Sequence, residues 1–170
     1  MTALTCVLTL AVRIPSPSRG YINLGDCAVL ICGWLLGPAY GMLAGGTGSA
    51  LADLLAGYPA YIPGTFVIKA VMAFTVSLAR LMASRSGKNF RGVDFAVSSV
   101  IAETVMIAGY WAYEAAVIGE GAAAALAGVP GNIFQGVAGV AGALVLTGII
   151  KRTGLIEKIP AGLSRRGGSK

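Results

Sequence analysis

The chain has 170 residues, of which 56% are hydrophobic and 12% charged, with a mean hydropathy of +0.78 and a formal net charge of +6. Such a composition excludes a water-exposed globular surface. It also excludes a nucleic-acid groove, because the Lys and Arg residues fall between apolar runs instead of clustering among exposed aromatics. The predicted class is an all-α integral membrane protein: a compact six-helix membrane domain over residues 1–155, followed by a basic cytoplasmic tail over 156–170.

In chain order, the predicted spans are 2–14, 26–37, 39–56, 65–83, 93–118 and 132–150. The first run lacks the basic leading region and A-x-A-like site of a cleaved signal peptide. The first two runs are short against the roughly 20 helical residues a bilayer core requires. Pro15, Pro17 and Gly20 prevent the first helix from continuing, which predicts a long first outer loop. Gly37-Pro38 separates the second and third runs by a tight connection. Gly41, Gly45 and Ser49, four residues apart, give the third run a face almost free of side chains, and Gly139 and Ala143 repeat the pattern in the last. Small residues at this spacing admit close helix packing within one chain, or a dimer seam. Cys6, Cys27 and Cys32 lie in apolar runs without metal-ligand spacing, so neither a disulfide nor a metal is expected.

Ten of the thirteen basic residues occupy 80–91 and 151–170. The positive-inside rule puts both regions, and both termini of a six-span chain, in the cytoplasm of a multi-pass cell-membrane protein. Ionisable residues inside spans mark functional sites by default, which singles out Asp53, Lys69, Glu103 and Glu114. Asp26, Asp53, Lys69, Tyr110, Glu114, Asn132 and Gln135 fall near the outer ends of their spans, with Glu103 deeper, and the spacing of Glu103, Tyr110 and Glu114 gives them one helical face. These residues predict one external pocket. The alternative is that Asp53 and Lys69 pair across the hairpin of the third and fourth spans while Glu114 sits among headgroups. Tyr21, Tyr58, Tyr61, Trp111 and Tyr113 suit either an interfacial belt or stacking on a flat ligand. With no His, no phosphate-binding loop and no nucleophile elbow, the chain does not read as an enzyme, and no cofactor is implied.

The run Gly20-Tyr21-Ile22-Asn23-Leu24-Gly25-Asp26, then Leu36-Gly37-Pro38, then 45–54, Gly57-Tyr58-Pro59, Thr65 with Lys69, Gly109-Tyr110 and the run 130–136 together resemble the S components of energy-coupling factor (ECF) transporters. The similar branch is riboflavin-type and includes proteins assigned to hydroxymethylpyrimidine and vitamin B6 compounds. That resemblance implies a six-helix subunit that captures a water-soluble vitamin or precursor outside and delivers it with a membrane T subunit and two ATPase subunits. It implies substrate contacts among Tyr21, Asn23, Asp26, Asp53, Lys69, Glu103, Tyr110, Glu114, Asn132 and Gln135, under a lid formed by 15–25 with Arg19, Gly20 and Tyr21. The family's alanine-x-x-x-alanine patch for the T subunit is interrupted here, since Val7 follows Ala3; Ala3, Thr5, Thr9 and Ala11 are the expected coupling face. A self-sufficient homo-oligomeric carrier or channel is the alternative function.

Overall fold

The computed structural model of the chain describes residues 1–15 and 21–153. Helix α1 (Thr2–Ala11) leads into two short antiparallel strands, β1 (Arg13–Pro15) and β2 (Tyr21–Asn23), with Arg13 opposite Asn23 and Pro15 opposite Tyr21. Helices α2 (Gly25–Ala56), α3 (Ile62–Arg85) and α4 (Gly92–Tyr113) follow. A π-helical turn (Glu114–Ile118), a short α5 (Ala122–Ala125) and α6 (Val129–Arg152) complete the described chain. The segment between α1 and α2 therefore begins and ends in a β-ladder, an element absent from the all-α expectation. Ile14, Tyr21 and Ile22 suit a strand, and the prolines exclude a helix. Arg19, Gly20 and the tail 156–170 lie outside the described residues.

Among the described residues, four helical stretches are long and apolar enough to cross a membrane: Gly25–Ala56, Pro59–Arg85, Gly92–Ile118 and Ala122–Arg152. Helix α1 is apolar and, at 10 residues, shorter than the usual span. The 32 residues of α2 are not one rod. Gly37 interrupts them with φ 77° and ψ −175°, a conformation that side chains disfavour, and Pro38 follows. A β-carbon placed on Gly41 would lie 2.9 Å from the carbonyl oxygen of Cys32, and one on Gly45 3.2 Å from Val29. Residues sixteen apart in a straight helix are about 24 Å apart along the axis. The stretch is thus a helical hairpin whose arms, 25–36 and 38–56, lie against each other.

The predicted small-residue face is used within the chain. The second arm runs between α1 and α3, where β-carbons on Gly48 and Gly46 would come within 2.6 Å of Thr2 O and 2.8 Å of Phe66 O. Backbones at such distances are held by dispersion and by excluding lipid. The core gathers Val29, Leu30, Trp34, Met72, Val76, Phe95 and Met106, while Leu43, Leu55, Val67, Met82, Val97, Val137 and Val145 are exposed. Large apolar side chains facing outward on every long helix are what a hydrocarbon solvent allows. Thr5 and Thr9, expected on an outward coupling face, are instead buried. Thr5 meets Gly48 and Cys32, and Thr9 lies against Gly25. Their i, i+4 spacing turns them inward together, leaving Ala3, Val7 and Ala11 on the exposed face.

A close approach of this kind makes a direct prediction. A β-carbon on Gly33 would sit 2.3 Å from Ala73 O, whereas one on Gly148 meets nothing within 4 Å. Gly33→Ala should destabilise the bundle by about 1–3 kcal/mol, the cost of overpacking, and Gly148→Ala should be neutral. Thermal unfolding of the detergent-solubilised variants measures both. Equal melting temperatures would contradict the close packing of α2 on α3.

Candidate functional site

The hairpin of α2 brings Asp26, at the start of one arm, and Asp53, near the end of the other, to the same end of the bundle. The αL glycine Gly57 (φ 82°) ends the second arm by returning its N–H to Asp53 O and Leu54 O. Beside it a 3₁₀ turn (Pro59–Tyr61) starts α3 and carries Tyr61. At the far end of the bundle, Arg80 donates to Trp34 O and Lys151 Nζ lies 5.4 Å over the Trp34 ring. The two ends are therefore chemically distinct: one basic, the other built of tyrosines, amides and carboxylates.

At the base of the latter end Lys69 and Asp26 form an ion pair, with side chains 1% and 0% exposed. Gln135 Nε2 donates to the other Asp26 oxygen (2.7 Å), and Gln135 Oε1 accepts the backbone N–H of Asn23 (2.8 Å). Asn23 Oδ1 in turn accepts from Gly25 N. This network joins β2, α2, α3 and α6. Lys69 also lies 5.3 Å from the centroid of the Tyr110 ring, a second stabilisation of its charge. The expected alternative of an Asp53–Lys69 pair is not what forms. Lys69 faces the first arm of α2, and Asp53 accepts the Tyr21 hydroxyl at 2.8 Å. Burial, and then the Asp53 carboxylate, push the Tyr21 phenol above its ordinary range, so it remains a proton donor.

Above this base lies a cavity of about 30 Å³, lined by Tyr21, Asn23, Asp53, Tyr61, Thr65, Tyr110, Glu114, Asn132 and Gln135. Thr65 and Tyr110 share a hydrogen bond of 3.0 Å across it, and Tyr61 donates to Glu114 at 3.3 Å. The π-helical turn carries Glu114 inward, where it is 3% exposed. Tyrosine rings roof this end as a chain, Tyr21 to Tyr58 (centroids 4.9 Å), Tyr58 to Tyr61 (6.3 Å) and Tyr61 to Tyr113 (6.2 Å). Tyr113 is tied down by a 2.7 Å bond to Ala60 O.

Seven of the ten substrate-site residues expected from sequence line this cavity. Asp26 and Lys69 sit beneath it as its floor. Glu103 is deeper, about 10 Å along α4 from Tyr110, against Gly136 and Gly139 of α6 and beside the Asp26–Lys69 pair. Gly139 is what admits it, since a β-carbon there would lie 2.7 Å from Glu103 Oε1. Tyr61 and Thr65 were not among those ten. Thr65 stands four residues before Lys69 and so shares its helical face, a signal present in the spacing. The π-helical turn that orients Glu114 has no such signal. Among the described residues no group of three or more His, Cys, Asp or Glu is arranged to hold a metal ion.

The buried pair makes the second prediction. Lys69→Met or Asp26→Leu alone leaves one uncompensated charge in the bundle and should cost about 3–5 kcal/mol. The double variant Asp26→Leu/Lys69→Met should recover much of that loss. Unfolding in mixed detergent measures the cycle, and additive losses would show that the two charges do not stabilise each other.

Three comparisons bear on what this site serves. The profile of the family described as "ECF-type riboflavin transporter, S component" matches residues 1–152. A protein of Pyrococcus woesei described only as uncharacterized, in a gap 3′ region, is 36% identical over 135 residues, covering 79% of this chain and 85% of that one. The thiamine precursor transporter HmpT of Lactococcus lactis subsp. cremoris (strain MG1363) is 29% identical over 158 residues, covering 92% of this chain and 86% of HmpT. With a polar, tyrosine-roofed cavity at one end of an apolar bundle, the chain belongs to the ECF-type riboflavin transporter S component family and is the subunit that binds a vitamin or vitamin precursor for an ECF transporter.

Proposed function

We propose that the chain crosses the membrane six times, counting α1 and the two arms of α2 separately, and presents its cavity to the outside. It captures a heteroaromatic vitamin or precursor there and delivers it inward with a T subunit and two ATPase subunits, which alone hydrolyse ATP. The observation that carries this reading is the convergence of side chains from β2, the α2 hairpin, α3, α4 and α6 on one cavity, at the end opposite the basic cluster. Positive charge marks the cytoplasmic end, so the cavity opens to the other side and both termini are cytoplasmic. The exposed face of α1, with Ala3, Val7 and Ala11, is small enough for a partner helix to approach. Thr5 and Thr9 are excluded from that face by their burial. The homo-oligomeric carrier draws its support from the glycine faces, and those are occupied within the chain.

The cavity has room for roughly two waters, far below the space a vitamin needs, so binding requires side chains to withdraw. The β2 strand is the part held there by two side-chain links, Tyr21 to Asp53 and Asn23 to Gln135. Opening breaks both. Gln135 spends both ends of its amide on the protein and acts as a clamp for β2, while Asn132 contacts the ligand. Asn132→Ala should weaken ligand binding by about 1–3 kcal/mol, read by calorimetry.

Topology and dependence on partners are tested together. A membrane-impermeant thiol reagent should label a cysteine placed at Ala60 but not one at Ser86 in intact cells, and the reverse pattern contradicts the orientation. In vesicles the chain should concentrate its ligand only when T and ATPase subunits and ATP are supplied. Uptake by the chain alone would favour the self-sufficient carrier.

A further inference from the structure

Beneath the cavity one buried acid has no task yet. Glu103 is 4% exposed, and neither of its carboxyl oxygens is hydrogen-bonded to a donor among the described residues. It is firmly seated all the same, because two glycines of α6 cradle it. A β-carbon on Gly136 would lie 3.3 Å from Glu103 Oε2, and one on Gly139 would lie 2.7 Å from Glu103 Oε1 and 2.8 Å from Asp26 Cβ. Acidic side chains from α4 and α2 therefore flank a single methyl-sized point. We propose that Glu103 is a proton-binding site, holding one proton that it donates to the Asp26 carboxylate.

The local charges require it. Glu103 faces Asp26 and Cys27 of α2 and Lys69 of α3, while α6 brings no titratable group to it, and its own helix places Tyr110 two turns away. Cys27 donates its S–H to Leu24 O, and Lys69 is paired with Asp26. An ionised Glu103 would thus set a second carboxylate against one ammonium already in use, with no donor to solvate it. A proton removes that charge and supplies the missing O–H donor. Asp26 can accept it, since its two oxygens take one bond each, from Lys69 and Gln135, and each keeps a lone pair. A metal cation suits the place less well, because it needs several free oxygen ligands and those of Asp26 are occupied.

The proton reaches the cavity through its floor. Asp26 holds Gln135, and Gln135 holds the backbone of Asn23 in β2. Losing the proton puts two carboxylates side by side in competition for Lys69, which loosens that chain of bonds from below. The folded chain binds one proton more than the unfolded chain, where glutamate ionises freely, so folding weakens as pH rises until the proton is gone. Below the ordinary carboxyl range both states are protonated and the dependence vanishes.

Infrared spectroscopy of the purified chain in detergent, grown with isotope-labelled glutamate, tests the site. At neutral pH a protonated-carboxyl C=O band should shift with the label, disappear in Glu103→Gln and fade on raising the pH. From the ordinary carboxyl range up to the loss of that band, the wild-type folding constant should fall about tenfold per pH unit relative to Glu103→Gln, the factor for one proton. Over the same range the Asn23 amide should exchange faster in the wild type than in Glu103→Gln at equal pH. The inference is overturned if the wild type shows no protonated glutamate, a result that needs no variant to fold. It is equally overturned if the band survives in folded Glu103→Gln, or if the stability of both chains follows pH alike. Stability that tracks sodium in place of pH gives the carboxyl to a metal cation and also overturns it. None of these readouts involves the transported ligand, so their failure leaves the substrate reading of the cavity untouched.

Discussion

A lysine ammonium inside an apolar bundle must be neutralised where it stands, and the position of Lys69 therefore governs much of the architecture. Its partner Asp26 sits on a different helix, at the first turn of α2, so the pair fixes the start of the hairpin against α3. The second Asp26 oxygen takes Gln135 from α6, and Gln135 takes the backbone of β2. Three helices and a strand are thereby registered by one buried carboxylate. The cavity above inherits its geometry from that floor, because Tyr110 packs over Lys69 and Thr65 stands one turn above it on α3.

Ion pairs in low dielectric contribute little net stability once their desolvation is counted, but they penalise every arrangement that separates them. Stability comes from elsewhere, from backbones at near contact. Gly33 against Ala73, Gly46 against Phe66 and Gly48 against Thr2 leave no space for even one methyl group. Small residues supply the cohesion, and the charged floor supplies the register.

Much of this was legible in the chain itself. The apolar runs marked the long helices to within a few residues, because a lipid-facing helix has a composition that no loop shares. Gly37-Pro38 gave away the hairpin turn for an equally local reason. Intramembrane Asp, Glu and Lys pointed to the cavity because such residues persist in spans only where they have partners. What sequence did not disclose was who partners whom. Asp26 and Asp53 are chemically alike and both reach the same end of the bundle, and only packing decides that Lys69 turns to the former. Thr5 and Thr9 were misplaced for a related reason: in an apolar ten-residue helix, small polar side chains carry no mark of which face is inward, and the contacts with Gly25 and Gly48 decide it.

The hairpin also makes the bundle uneven in height. Its first arm, residues 25–36, is about 18 Å long and α1 about 15 Å, whereas α3 and α6 reach about 36 Å. A bilayer with a hydrocarbon thickness near 30 Å fits the tall side and overshoots the short one. Lipids beside α1 and the first arm must compress or tilt, and those beside α3 and α6 need not. Set upright in a bilayer, a bundle with sides this unequal would act as a wedge, with a preferred tilt that follows acyl-chain length.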